Sequence, residues 1–423
     1  MIKKKLNFLL DIKIILFLAL LLRLAYFLNS PLSIEEKGLI DINVDENTYY
    51  SIAKVYSEKG IWEGLKDEKS MWTAPGTPLY FYSVGLFFEK DILAIRICNI
   101  FLSLLTIFFV YKISKEIFGK EVGLFSALIL SLLGLFVESS AMLMTEPLFI
   151  LLSVLSAFFF LRGNRNSDIR LIALAGLIMG LACLTRSHLL LFPFFFLAYG
   201  LFFYMKTKDW SFFKKGFVFL MSFFLVVSPI ILKNYVYFNK PAISTGSGAG
   251  LFLGSRQDTE GDEPPYRGLN YDTSLITGGL SHLSIKGDEL LFSKGVENVK
   301  TYPKQYIIWN IKKVGRLLVG SNYYWFFPYD DIYNYIRNSE GAKGLLRIID
   351  LSLTVFVTIF GLFYLIRKLF LKSIAFINMY LIYSILIYIP FLVNHRYGMS
   401  IMVLLVIYAV QALLEKREKI TSD

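Results

Sequence analysis

Four short clusters in this sequence set charged side chains against apolar runs. They are Asp45-Glu46 in Val44-Asp45-Glu46-Asn47-Thr48-Tyr49, Thr145-Glu146-Pro147, Thr185-Arg186-Ser187-His188 and His395-Arg396-Tyr397. Arg96 lies one turn inside an apolar stretch, and Glu138 ends another. A carboxylate of the Asp45-Glu46 pair could act as a general base. Adjacent side chains diverge by about 100° on a helix, so only one of the two can point into a given site. The plainer role for the pair is a helix start, where acids favour the dipole. Thr145-Glu146-Pro147 also reads as a cap and first helical turn. Arg186 and Arg396 each sit in a turn of a few residues between apolar helices. There a guanidinium either anchors at the lipid headgroups or binds phosphate oxygens bidentately. Arg96 can do the same or snorkel. His188 and His395 stand far apart without metal-ligand spacing, which favours capping or hydrogen bonding. There is no P-loop, Rossmann glycine pattern, Gly-x-Ser-x-Gly or HExxH. Gly246-Ser247-Gly248-Ala249-Gly250 has no strand–helix unit around it, though its backbone amides could approach a phosphate or sugar.

The elements that must position these residues follow from composition. Of 423 residues, 55% are hydrophobic and only 18% charged. That is more apolar surface than one core can hide, so a soluble enzyme and a disordered chain are excluded. Cys98 and Cys183 both lie in apolar runs, which argues against a disulfide framework. Apolar stretches of spanning length predict about ten membrane helices, at 12–28, 92–111, 122–138, 147–161, 171–184, 188–204, 216–236, 348–366, 373–391 and 397–414. The first follows Lys3-Lys4-Lys5. With Arg23, Tyr26 and Phe27 where a cleavage site would need small residues, it reads as a retained helix.

Alternate loops collect the basic residues: Lys112/Lys115/Lys120, Arg162/Arg165/Arg170, Lys206/Lys208/Lys214/Lys215, Arg367/Lys368/Lys372 and Lys416/Arg417/Lys419. The positive-inside rule puts these and both termini in the cytoplasm, with 29–91 and 237–347 outside. All four clusters then fall on the outer face. The net charge of +11 is accounted for by orientation, and no nucleic-acid partner is implied.

Segment 29–91 is too long for a connector, and its apolar stretch Leu79–Phe88 is too short to span. It reads as an interfacial helix or a half-span. Segment 237–347 is long enough for a small outer subdomain. Its part Ser244–Gly268 reads as irregular loop and Asp288–Trp325 as one or two helices on the membrane. The organisation is thus an N-terminal membrane module over 1–236, an outer subdomain over 237–347, and C-terminal membrane helices with a cytoplasmic tail over 348–423. No internal repeat supports a repeat-built transporter.

In order along the chain, these pieces resemble glycosyltransferase family 39 of the GT-C superfamily, which includes protein O-mannosyltransferases and the lipid A aminoarabinose transferase. The matching stretches are Asp45-Glu46 with Tyr49, Ala74-Pro75-Gly76-Thr77-Pro78-Leu79-Tyr80, Ile95-Arg96-Ile97 and Thr145-Glu146-Pro147-Leu148. Thr185-Arg186 with Leu189–Pro193 follows, then Lys233-Asn234-Tyr235, Phe238-Asn239-Lys240-Pro241, Gly250–Gly254 and Arg396-Tyr397. The chain departs from the family at Thr73-Ala74-Pro75-Gly76, where a basic residue often precedes Pro-Pro. It departs again at Arg396-Tyr397-Gly398-Met399-Ser400, where a second arginine and a proline are missing.

The resemblance implies an all-α GT-C helix bundle in a bacterial or archaeal cell membrane. The donor would be a sugar on polyprenyl phosphate, and the acceptor a hydroxyl of a protein, glycan or lipid outside the cytoplasm. It makes Asp45 the base, with Glu46 and Glu146 supporting. Arg96, Arg186 and Arg396 become phosphate ligands, and Tyr49, His188 and Tyr397 join the substrate site. A single displacement would invert the anomeric centre. Arginines can neutralise the phosphate without a cofactor, yet two acids near it leave room for a divalent ion. A transporter or flippase for a lipid-linked substrate is the main rival. A scaffold built on 237–347 and a ligase or polymerase using a diphosphate carrier are others.

Overall fold

The computed structural model describes residues 11–29, 44–88, 91–261, 274–319 and 341–421. Every regular element among them is helical. Helix α1 (Ile12–Asn29) packs along the helices Asp91–Phe118 and Lys120–Leu132. The long stretch between the first two spans forms α2 (Val44–Lys59), α3 (Ile61–Leu65), a 3₁₀ turn (Glu68–Met71) and α4 (Gly76–Gly85). Then come α5 (Asp91–Phe118), α6 (Lys120–Leu132), α7 (Gly134–Ser139), α8 (Glu146–Asn166), α9 (Ile169–Thr185), a 3₁₀ turn (Ser187–Leu191), α10 (Phe192–Thr207) and α11 (Trp210–Phe238). The second long stretch, after α11, carries α12 (Ser247–Gly254), α13 (Ser274–Thr277), α14 (Ile285–Thr301) and α15 (Pro303–Val319). The chain closes with α16 (Gly341–Arg367), α17 (Ala375–Tyr388), a 3₁₀ turn (His395–Gly398) and α18 (Met399–Thr421).

Seven helices among the described residues are long and apolar enough to cross a membrane, and Ile169–Thr185 and Lys372–Tyr388 are shorter apolar helices. This is an all-helical polytopic membrane protein, with fewer full-length spans than the roughly ten expected. The stretch 122–138 is the clearest departure. It breaks at Leu133, whose backbone is extended, into α6 and α7. Asp350 on α16 accepts from the Gly134 amide at 2.7 Å, satisfying a donor that the break frees. Arg23 on α1 donates to the Ser131 carbonyl at 3.4 Å and to Ser103 Oγ at 2.8 Å, and lies over the Phe136 ring. A buried arginine without a carboxylate partner is costly inside a membrane, and here backbone carbonyls and an aromatic face take up its charge.

The bundle is held by apolar faces that meet without charge. Phe160, Phe192, Phe196, Phe219 and Phe376 bring α8, α10, α11 and α17 into one aromatic core, with Phe160 stacked on Phe376 at 4.4 Å. Asp168 and Asp209 cap α9 and α11 by accepting from Arg170 and Ser211 amides, which starts each helix sharply after a short loop. Helix α18 is the most enclosed span, packing on α16, α6 and α8.

Two readings of the outer segments change. Ser244–Gly268 is not wholly irregular, since Ser247–Gly254 is helical and Asp288 of α14 accepts from the Ala249 amide at 2.9 Å. Its glycines lower helix propensity, but they allow contacts with α14 that a side chain would block. The one or two helices expected within Asp288–Trp325 are two, α14 and α15; residues 320–325 lie outside the described ones. The two long segments between spans are tied together. Thr245 donates its amide to Met71 O at 2.8 Å, the Ile285 amide donates to Glu68 Oε1 at 2.9 Å, and Trp72 meets His282 edge-on.

Candidate active site

The site is built where helix ends meet on one side of the bundle. Asp45 and Glu46 occupy the first turn of α2 and diverge as the helix requires. The Asp45 carboxylate pairs with Arg396 at 2.6 Å, its side chain 44% exposed against 12% for Arg396. Glu46 turns inward, 5% exposed, and accepts from the Leu143 amide at 2.8 Å. Glu146, at the first position of α8, pairs with Arg186 at 2.9 Å and is 2% exposed.

Thr145 does not cap α8. Its hydroxyl donates to Glu146 Oε2 at 3.1 Å and accepts from Arg186 Nε at 2.9 Å, so it fixes the pair from both sides. Burial works against the Arg186 cation, but the Glu146 carboxylate and Tyr388, Tyr397 and Tyr49 outweigh it and hold the pKa above the arginine norm. Arg186 also lies over the rings of Tyr397, at 5.0 Å, and Phe149. Tyr397 stacks on Tyr388 at 5.0 Å, and the Tyr388 hydroxyl lies 3.2 Å from the His188 ring nitrogens. His188 therefore stands in an aromatic wall with Phe149 and Tyr388, and its carbonyl accepts from Tyr383. Tyr49, one turn after Asp45, lies within the fields of Asp45, Arg186, Glu146 and Arg396. Burial first, and then Asp45, pushes its phenol up.

Two close approaches set these turns. Gly76 opens α4 against the end of α9, where a Cβ would stand 2.6 Å from the Leu184 carbonyl, two residues before Arg186. Gly398 follows Tyr397 and lies against the Leu317 carbonyl of α15, leaving no room for a side chain. Asn394 accepts from the Arg396 amide at 3.0 Å and caps that turn.

Asp45, Glu146, Arg186, Arg396, Tyr397, His188 and Tyr49 thus converge. Arg96 and Glu46 do not join the paired arginines. Arg96 is 4% exposed, donates to Ala141 O at 2.7 Å and lies over Phe27, with Glu46 and Tyr26 in its field. The side chain of His395 lies outside the described residues. Thr145, expected only as a helix cap, completes the site together with two residues not singled out, Tyr388 and Met144, whose sulfur accepts from Arg396 at 3.3 Å. Tyr388 gives no signal in an apolar run. No group of three His, Cys, Asp or Glu able to hold a metal occurs among the described residues, and the carboxylates at the site already face arginines or an amide. This donor set does not fit a divalent ion, and no step is derived through one.

An all-helical membrane bundle of this fold has known counterparts. Residues 75–232 match the family described as dolichyl-phosphate-mannose-protein mannosyltransferase. No curated protein matches it by sequence. The apo oligosaccharyltransferase of Archaeoglobus fulgidus matches at 15% identity and TM-score 0.53, over 96% of this chain and 50% of that one. The same organism's oligosaccharyltransferase AglB, in complex with an inhibitory peptide and a dolichol-phosphate, matches at 13% and 0.50, over 96% and 50%. ArnT from Cupriavidus metallidurans bound to undecaprenyl phosphate matches at 13% and 0.41, over 94% and 77%. At these identities the likeness to the oligosaccharyltransferases is one of fold, and the chain spans about half their length.

Proposed function

We propose that this protein transfers a sugar from a polyprenyl-phosphate carrier to an acceptor hydroxyl of a protein, glycan or lipid at the extracytoplasmic face. Asp45 is the general base, and the anomeric centre is inverted. One observation carries the assignment. Of the three candidate acids Asp45 alone is open, with its side chain 44% exposed, while Glu46 and Glu146 are buried at 5% and 2%. A base must reach the hydroxyl proton, and buried, bonded carboxylates cannot. The family match supports the donor class, as do the fold shared with AglB and that protein's dolichol-phosphate complex.

The geometry suggests an exchange. Without donor, Arg396 is paired to Asp45 and Arg186 to Glu146. A lipid phosphate offers both guanidiniums stronger acceptors. As Arg396 turns to the phosphate, Asp45 is left free to take the acceptor proton. The acceptor oxygen then bonds to the anomeric carbon, the bond from that carbon to the phosphate oxygen breaks, and the electron pair leaves with the phosphate. The two arginines meet that charge. Glu146 and Thr145 keep Arg186 in place, Glu46 fixes the 141–143 turn by its bond to Leu143, and Tyr49, His188 and Tyr397 line the substrate site.

Asp45→Asn keeps shape and removes basicity. Turnover should fall by roughly 10²–10⁴-fold while polyprenyl phosphate still binds, whereas Glu46→Gln should do less. Near-normal turnover in Asp45→Asn, with Glu146→Gln inactive, would move the base to Glu146.

A further inference from the structure

Glu138 is a buried acid that the reaction above does not use. It ends α7, only 4% exposed, and its Oε1 is enclosed without a hydrogen-bond partner. Helix α7 is pinned at both ends, by Asp350 on the Gly134 amide and by Ser139 Oγ, which donates to Met399 Sδ at 3.3 Å. Met399 follows Arg396 by three residues, so Glu138 is held beside the Arg396 turn. Arg396 is the cation whose field acts on it, with Glu46 and Asp350 the nearby acids. Arg396 spends NH2 on Asp45 and NH1 on Met144, yet its Nε is also enclosed without a partner.

A buried acceptor on Glu138 and a buried donor on Arg396, the cation whose field acts on Glu138, are thus both left unsatisfied. Native structures rarely leave such groups unmade unless something else completes them. The group that accepts from an N–H and donates to a carboxyl oxygen at once is a hydroxyl. We propose that Glu138 and Arg396 Nε form a subsite for the sugar of the donor lipid, holding the hydroxyl next to the anomeric carbon. This rests on the reading of Arg396 as a phosphate ligand. If one edge of that guanidinium takes the phosphate, its other edge reaches only the neighbours of the anomeric carbon. The ring oxygen is one of them, but it carries no proton to donate to Glu138. The hydroxyl on the next carbon does, so the subsite selects sugars that bear it.

The test uses the purified full chain in detergent and three probes: polyprenyl phosphate, polyprenyl-phosphate mannose and the 2-deoxy counterpart of the latter. The wild type should bind the mannosyl lipid about 10–100-fold more tightly than the 2-deoxy lipid, the usual cost of a lost hydrogen bond to a charged group. Glu138→Leu, which fills the space without an acceptor, should erase that preference and leave bare polyprenyl phosphate unaffected. Glu138→Gln, which keeps one acceptor oxygen, should retain part of it. A wild type that does not discriminate overturns the subsite, and this comparison holds whether or not the variants fold. Equal weakening of all three lipids in Glu138→Leu would also overturn it, since that is a packing role. If discrimination persists unchanged in Glu138→Leu, a water fills the gap and the hydroxyl is read elsewhere. Failure of the wild type to bind even bare polyprenyl phosphate would instead remove the phosphate reading, and the subsite with it.

Discussion

At the scale of residues, an arginine that is already paired can bind phosphate only by exchanging partners. Arg186 is held by two groups on one rigid helix start, Thr145 and Glu146, whereas Arg396 is held by an open carboxylate. Replacing either arginine by Ala should weaken polyprenyl-phosphate binding by about 2–5 kcal/mol if the charge pair is desolvated. Lys should restore only part of this, because it loses the fork geometry. Unchanged affinity in both alanine variants, read by equilibrium binding in detergent, would return the two residues to a headgroup-anchoring role. The sequence made the divergence of Asp45 and Glu46 legible, because it follows from helix geometry alone. It did not reveal which acid faces open space, since the partners that decide this, Leu143 and Arg396, are remote in the chain. Thr145 illustrates the same limit. Next to Glu146-Pro147 a threonine looks like a cap, and only the approach of Arg186 turns its hydroxyl into a bridge.

At the scale of elements, hydropathy locates apolar stretches well and their interruptions poorly. The stretch 122–138 is apolar throughout. Its break at Leu133 depends on Asp350 and Arg23, which supply groups for the freed backbone from helices distant in sequence. The break matters for the proposed sugar subsite, because the short helix after it carries Glu138. Helix α12 was missed for the opposite reason. Its glycine-rich sequence argues locally for a loop, and helix formation is decided by packing on α14 and by Asp288. Helices α14 and α15 were visible because their apolar residues recur at helical spacing. Gly76 and Gly398 were read only as parts of motifs. Their physical roles, clearing the Leu184 and Leu317 carbonyls beside the two arginine turns, need the packed structure.

For the whole molecule, we propose from the loop charges that the site faces away from the cytoplasm. Single cysteines at exposed Lys59 and Glu297, with Cys98 and Cys183 replaced by Ala, should react with an impermeant reagent in intact cells or spheroplasts. A cysteine at Arg165 should react only after permeabilisation. The reverse pattern would invert the topology. That orientation would suit the proposed lipid-linked donor, since sugar nucleotides are cytoplasmic and a lipid carrier presents its sugar at the outer surface. It leaves open the contest between a transferase and a transporter, which both want arginines near a lipid phosphate. The most direct measurement is transfer from purified radiolabelled polyprenyl-phosphate mannose to an envelope acceptor fraction, with the protein in detergent micelles. Transport needs two sealed compartments, and catalysis does not. The proposed enzyme moves label to the acceptor and releases polyprenyl phosphate, in an Asp45-dependent manner. A protein that binds the donor lipid in micelles, transfers nothing, and moves it across the bilayer of sealed vesicles would contradict that account.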